Sequence, residues 1–404
     1  MTEWKKCKLG DVAASYKGSI ISGPFGSNIS SKFFVFDGIP VIRGNNLSLS
    51  IGIKFIDKGF VFISKEKANE LGTWARKNDL IFTAAGTIGQ VGILTGNEKY
   101  ECYIISNKQL RVSLNDKLIQ PLFAYYWFAS PIMRERIISS DTGSTIPLIN
   151  LSVLKSLPLV IPPIPEQKAI ASVLSCLDDK IDFLHRQNKT LEAMAETLFR
   201  QWFVEEADES WVEGELGDVI TIKGGTTPST KEPDFWDGDI YWTSPRDLSN
   251  HNAIFLFNTE RKITQKGLAQ IGSGLLPIGT VLLSSRAPIG YLAISNIPLA
   301  INQGYIAIIC NKIFSNIFMY FWCKFNMEEI ENAGNGSVFQ EISKSNFKTL
   351  KVLLPPVAIL NKFDNRVTPI LEKIKLNQHQ IRTLEKLRDT LLPKLMSGEI
   401  RVEV

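Results

Sequence analysis

Three histidines (His185, His251, His379) and five cysteines (Cys7, Cys102, Cys176, Cys310, Cys323) are among the residues of this 404-residue chain that could ligate a metal or act as nucleophiles. Their spacing supports neither role. No two cysteines form a CxxC pair, so a zinc site and a disulfide framework are both disfavoured and reduced thiols are expected. His185 and His379 fall in long helical patterns and His251 in a polar loop, so no nucleophile–base–acid triad is visible. The glycine-rich run Thr83-Ala84-Ala85-Gly86-Thr87-Ile88-Gly89 could cradle a phosphate, but GxxxxGK[ST] and GxGxxG are absent and apolar alternation follows instead of a helix. It reads as a hairpin turn, and Ser285-Arg286-Ala287-Pro288-Ile289-Gly290 reads the same way. No Asn/Asp-Pro-Pro-Tyr/Phe motif stands ready to place an amino group for methylation; the Pro-Pro pairs sit in Ile-Pro-Pro-Ile and Leu-Pro-Pro-Val. The expectation is a chain with no catalytic residue, no metal site and no cofactor of its own.

The chemistry left is recognition by hydrogen bonds. Arg, Lys, Asn, Gln, Ser and Thr on loops between apolar strands can read base edges in a DNA groove, while lysines, arginines and backbone amides hold phosphates. In the first part of the chain the candidates are Arg43, Asn45 and Asn46 after the run Ile39–Ile42, then Lys108 and Gln109, then Thr145. In the second part they are Arg246, Arg286, Asn302, Gln303, Ser337 and Gln340, with Arg286 favoured because a hairpin-tip arginine can reach guanine in a bidentate fashion. Asn45, Asn46 and Asp247 are equally good turn formers, and Gln109 or Gln303 could simply sit on a strand. The charge distribution suits a polyanion for the first part: residues 1–164 carry +7, against −3 for 165–207, −3 for 208–355 and +3 for 356–404.

The elements that must position these residues come as a tandem repeat. Leu9-Gly10-Asp11-Val12 recurs as Leu216-Gly217-Asp218-Val219 at an offset of 207, Ile88-Gly89 as Ile289-Gly290 at 201, and Gly143-Ser144 as Gly336-Ser337 at 193. The shrinking offset means one framework with shorter loops in its second copy. Each copy mixes β-rich runs (Val281–Leu283, Ile306–Ile308) with short helices (Leu122–Phe128, Ile317–Trp322), which predicts an α/β, mixed α+β, fold class.

A long helix closes each copy. Pro165-Glu166-Gln167 puts proline and an acid in the first turn. From there Ile170, Leu174, Leu177, Ile181, Leu184, Asn188, Leu191, Ala195 and Leu198 alternate at spacings of four and three, a coiled-coil seam. Adding 193 gives Val367, Ile370, Ile374, Asn377, Ile381, Leu384, Arg388 and Leu391 in the same register. The seam is narrower than the face of a helix packed only on its own domain, which favours a helix pair. Asn188 lies at an a position and Asn377 at a d position, so an antiparallel pair with a pseudo-twofold axis near residue 186 would bring them into contact and fix the register. Pro369 should interrupt the second helix, which is expected to restart with Thr368 as N-cap. The seam spans roughly 40 Å at a rise of about 1.5 Å per residue. That is of the order of the ~34 Å between two readers on one face of B-DNA.

Several stretches resemble the specificity (S) subunit of type I restriction-modification systems. They are Ser22-Gly23-Pro24-Phe25-Gly26-Ser27, Ile161–Gln167, Thr197-Leu198-Phe199-Arg200-Gln201-Trp202-Phe203-Val204 and Leu391-Leu392-Pro393-Lys394-Leu395-Met396-Ser397-Gly398-Glu399-Ile400. The likeness covers the whole chain, although Leu354-Pro355-Pro356-Val357 lacks the Pro-Glu-Gln of the first copy. It implies target recognition domains at 1–164 and 205–355, each reading half of a bipartite site in double-stranded DNA. It also implies spacer helices at 165–204 and 356–404 that form an antiparallel coiled coil and dock two modification (methyltransferase) subunits. S-adenosylmethionine would then be bound by those partners, and restriction (translocase/nuclease) subunits would join for cleavage. A protein-interaction adaptor without sequence readout is the alternative; a self-contained methyltransferase would have to bind S-adenosylmethionine alone. The chain shows no signal-peptide core and no membrane-length apolar run, so a cytoplasmic address and no membrane partner are expected.

Overall fold

A computed structural model describes residues 4–143, 145–249, 251, 253–335 and 340–403. They form two compact units, one of residues 1–182 with 383–404 and one of residues 183–382. Four helices organise these units: α1 (Pro121–Ala129), α2 (Ile164–Arg200), α3 (Asn316–Phe325) and α4 (Val357–Ser397). The fold class is mixed α/β, as the run pattern predicts.

In the first unit the antiparallel pair Lys5–Lys8 and Pro158–Ile161 brings the ends of the globular stretch together. An antiparallel four-stranded sheet runs Ile20–Ser22, Gln109–Val112, Leu80–Thr83, Val91–Ile93. A mixed five-stranded sheet runs Phe34–Val35, Val61–Ile63, Ile39–Ile42, Cys102–Ile105, Trp74–Arg76. Every residue of Leu80–Thr83 and Gln109–Val112 is buried. Strands covered on both faces lose the polar/apolar alternation of a half-exposed strand. Against this sheet packs α1, entered through Pro121 with Gln120 capping the amide of Phe123. The same core contains Ile170, Ala171 and Leu174 of α2 and Leu392, Leu395 and Met396 of α4.

The second unit repeats the plan with the registers the offsets require. Val212–Glu215 pairs with Lys351–Leu354. A five-stranded sheet runs Thr221–Gly224, Tyr305–Ile309, Val281–Ser285, Ile289–Ser295, Phe255–Leu256, beside a three-stranded sheet of Arg261–Ile263, Trp236–Thr243 and Leu299–Ile301. Helix α3 takes the place of α1, and Leu-Phe-Ala-Tyr-Tyr-Trp (122–127) becomes Ile-Phe-Met-Tyr-Phe-Trp (317–322). The two glycine-rich runs are hairpin connections, between Leu80–Thr83 and Val91–Ile93 and between Val281–Ser285 and Ile289–Ser295.

Helices α2 and α4 pack antiparallel. In the second unit Phe199 lies 5.9 Å from Phe363 (ring centroids) and Asn188 meets Asn377, so α2 descends as α4 ascends. In the first unit the same sense holds for Asp178 with Arg388 and Glu166 with Arg401. Each helix also packs on the sheet domains, so the buried stripe is wider than an a/d seam: Asp178 and Phe199 are buried, whereas Leu177 and Leu198 are half-buried. The aromatic residues of the 197–204 stretch close the second unit's core. Phe203 sits 4.9 Å from Phe318 and 5.0 Å from Phe363.

The motifs at the helix ends are fasteners. Gln167 donates to the carbonyls of Pro162 and Leu118 and accepts from the amide of Gln120. Gly398 ends α4 with φ +76°, a turn that needs glycine. Beyond it Arg401 folds back to the buried Glu166 and over the ring of Trp4.

One expectation fails. Helix α4 runs unbroken through Pro369 and does not restart at Thr368. The hydrogen bond that Pro369 cannot make would go to the carbonyl of Asn365; both residues are exposed, so water can replace it while Val367 and Leu371 stay buried. No helix among the described residues is long and apolar enough to cross a membrane. Replacing Pro369 by alanine should stabilise the chain by roughly 1–3 kcal/mol in urea denaturation, since an interior proline becomes a helix former. No gain, or a loss, would mean that the proline acts as a helix start.

Candidate nucleic-acid interface

The candidate loops of each copy are held by the same main-chain hydrogen bonds. In the first unit Ser106 N donates to Ile42 O (2.9 Å), Ala84 N to Lys108 O (2.7 Å) and Ile149 N to Ala84 O (2.9 Å). In the second, Asn302 N donates to Thr243 O (3.0 Å), Ser285 N to Gly304 O (2.8 Å) and Ile342 N to Ser285 O (3.0 Å). Four chain segments distant in sequence thereby meet in one junction: the loop after residue 42 or 243, the turn at 106–108 or 302–304, the hairpin at 84 or 285, and the segment at 149 or 342.

The first loop is shaped identically in both copies. Arg43 N donates to Asn46 Oδ1 and Ser244 N to Asp247 Oδ2, both at 2.9 Å. Asn46 is fully buried, and its Nδ2 also donates to the carbonyls of Ile56 (3.0 Å) and Lys58 (2.9 Å). Asp247 accepts in turn from Glu260 N at 2.7 Å. Residues 46 and 247 therefore tie the loop to the next segment, and Asn46 has no free edge to offer a base. The outward positions of this loop are Asn45, exposed with Nδ2 on Gly59 O (3.2 Å), and Arg246, exposed with a loose ion pair to Glu260 at 3.5 Å. Arg43 is half-buried, its Nε enclosed and unpartnered.

At the second element Gln109 is fully buried and hydrogen-bonded to Ser106, so it too leaves the set of base readers. Its counterpart is Tyr305, buried, with its hydroxyl donating to Ser244 O at 2.8 Å. Burial, reinforced by the Asp247 carboxylate, pushes that hydroxyl well above the ordinary phenol range and keeps it a donor. Lys108 and Gln303 are exposed; Gln303 accepts from Thr227 Oγ1 at 2.7 Å, and the half-buried Asn302 accepts from Gly304 N at 2.9 Å. At the third element Arg286 is half-exposed and faces Glu341 at 3.5 Å. Thr145 and Gln340 are exposed, and Ser337 lies outside the described residues.

A fifth segment leans on the junction. Gly23 packs so tightly that a Cβ would fall 1.8 Å from Ser106 O, and Gly225 stands in the same relation to Ile301 O. This explains the glycine of the Ser-Gly-Pro-Phe-Gly-Ser stretch. It also exposes a residue that a search for polar side chains passes over: Phe25, 84% exposed, next to a glycine that lies over Asn107. Among the described residues no cluster of three or more His, Cys, Asp or Glu could hold a metal ion.

Residues 1–193 and 208–386 each match the family profile described as "Type I restriction modification DNA specificity domain". The chain belongs to this family. Within it, the chain is similar to the MjaIX specificity subunit of Methanocaldococcus jannaschii, with 26% identity covering 100% of this chain and 97% of the relative. It is also similar to the HindI specificity subunit of Haemophilus influenzae, with 23% identity covering 99% and 100%. The crystal structure of an S subunit from M. genitalium shares the fold at a TM-score of 0.63 and 18% identity, covering 97% of this chain and 96% of that one. As a type I specificity subunit the chain is the DNA specificity component of a restriction-modification enzyme, and not a catalytic one.

The junction separates two kinds of residue that stability measurements will distinguish. Asn46→Ala should cost about 3 kcal/mol of unfolding free energy, because two carbonyls and an amide lose the fully buried side chain that joins them. Asn45→Ala should cost under about 0.5 kcal/mol. Equal losses at the two sites would contradict this assignment. Gly23→Ala and Gly225→Ala should each destabilise by at least about 2 kcal/mol, since backbone must move to admit the methyl group.

Proposed function

We propose that each unit reads one half of a bipartite double-stranded DNA site through the outward residues of its junction. These are Asn45 and Thr145 with Phe25 in the first unit, where Lys108 serves a phosphate, and Arg246, Arg286, Asn302, Gln303 and Gln340 in the second. Arg43 at the rim of its loop serves a phosphate, and Ser337, the repeat counterpart of Ser144 in sequence, is a further candidate reader. The observation that carries this reading is one backbone clamp bearing two different sets of exposed side chains: Asn45 against Arg246, and Asn107 against Gln303. Two readers of different sequences need that combination, a fixed loop position with variable donors and acceptors.

The domain boundaries at 164, 204 and 355 belong to the same reading. The paired helices between the readers set the spacing of the half-sites and dock two modification subunits. Those subunits bind S-adenosylmethionine and methylate, and restriction subunits join them for cleavage. The excess of positive charge on residues 1–164 supports phosphate contact in the first half-site. A pure protein adaptor would have no reason to vary exposed hydrogen-bonding groups on a clamp repeated in both units.

The test is the methylation specificity of the assembled enzyme carrying single substitutions. Asn45→Ala should relax one half of the recognised sequence and Arg246→Ala or Arg286→Ala the other, each by about tenfold or more at the affected base pair. Unchanged specificity in all three would overturn the reading. Lys108→Ala should instead weaken DNA binding evenly across sequences and lower its salt dependence by about one counterion.

A further inference from the structure

Two polar contacts across the seam between α2 and α4 each hold a buried side chain, and both are divided between the two copies. In the second unit Asn377, 1% exposed, donates through Nδ2 to Asn188 Oδ1 at 2.8 Å and to Gln187 Oε1 at 2.7 Å. In the first unit Asp178, 3% exposed, accepts from Arg388 Nη1 at 3.0 Å and from the hydroxyl of Tyr126 at 2.6 Å. The repeat relates each of these residues to an apolar one. At the offset of 193, Asp178 corresponds to Leu371 and Asn188 to Ile381, while Arg388 corresponds to Ala195 and Asn377 to Leu184. Tyr126 corresponds to Phe321 in the aligned helices α1 and α3. All five counterparts are buried.

This arrangement has a consequence for pairing. Two copies of α2 in the same antiparallel register would set Asp178 against Ala195 and Asn188 against Leu184. Two copies of α4 would set Arg388 against Leu371 and Asn377 against Ile381. Each like-with-like pair would leave two buried charged groups without their partner across the seam, Asp178 keeping only the Tyr126 hydroxyl and Arg388 only Asp389 of its own helix, and two seam amides without theirs. A buried charge that has lost its partner is strongly destabilising, and a buried seam asparagine is the best-attested device for fixing who pairs with whom. We propose that the Asp178–Arg388 and Asn188–Asn377 contacts are a selection lock that lets the first helix pair only with the second, and excludes subunits built from two copies of the same half. The surface is the helix seam, and the partner it fits is the opposite half of this chain. The consequence for DNA, a recognised sequence whose halves must differ, rests on the proposed function; the lock itself does not.

The test starts from the folded full chain, with a protease site inserted at Ala207–Asp208 and cut after folding. Unlabelled and 15N-labelled nicked proteins are mixed in urea just sufficient for label-mixed pairs to form, and all pairs are weighed by native mass spectrometry. The wild type should yield label-mixed pairs of unlike halves, with like pairs at least tenfold below their statistical share. A variant carrying Tyr126→Phe, Asp178→Leu, Asn188→Ile, Asn377→Leu and Arg388→Ala, each taken from the other copy, should yield like pairs near that share. Like pairs at the statistical share in the wild type, or none in the variant, would overturn the lock. In the intact chain Asp178→Leu and Arg388→Ala should each lower the thermal midpoint by on the order of 10 °C, and the double variant should regain most of it. Additive losses would refute the pairing. Neither readout involves DNA, so both can fail while the two units still read different half-sites, and the reverse.

Discussion

A main-chain hydrogen bond from Ala84 to Lys108, with its twin from Ser285 to Gly304, ties a strand hairpin to the turn beside it in each unit. The bonds from 106 to 42 and from 149 to 84, again with twins in the second copy, bring the remaining loops to the same point. Because donors and acceptors are backbone atoms, the clamp is indifferent to most side chains around it. A site that must be held rigidly yet change what it recognises has few other solutions, since any side-chain clamp would restrict the residues available for reading. The glycines at 23 and 225 belong to the same constraint, because backbone must approach backbone there.

Side chains inside the clamp have become structural, and those outside face solvent with only peripheral partners. Residues 46 and 247 cap the same loop, as amide in one copy and carboxylate in the other. Gln109 and Tyr305 fill the same buried place. One residue away, Asn45 and Arg246 face solvent. The helix seam divides differently. There the polar residues are the buried ones, and they differ between copies not to recognise DNA but to be satisfied by each other.

Much of this was legible in the residues. The repeat, the mixed α/β class and the antiparallel helices followed from offsets and from a 3.5-residue period, because burial forces periodicity into sequence. Two features resisted. Asp178 is buried, yet a hydrophobic pattern cannot register a carboxylate, and the period alone pointed to Leu177 beside it. Pro369 looked like a helix start, but the packing of Val367 and Leu371 outweighs the loss of one solvent-side hydrogen bond. Among the candidate readers, Asn46 and Gln109 could not be told from Asn45 and Lys108 by type, because the same amide that reads a base also caps a loop. What separates them is burial set by contacts with Ile56, Lys58 and Ser106, all remote or unpatterned in sequence. Phe25 was missed for the opposite reason: an exposed aromatic carries no polar signal.

The central claim is that one clamp, used twice with different outward residues, reads two different half-sites. Sequencing the methylated positions in DNA from cells carrying the assembled wild-type system tests it most directly. The account predicts a discontinuous motif, two short unlike sequences separated by a fixed stretch of unspecified bases. A single continuous motif, two identical halves, or modification without sequence preference would contradict it.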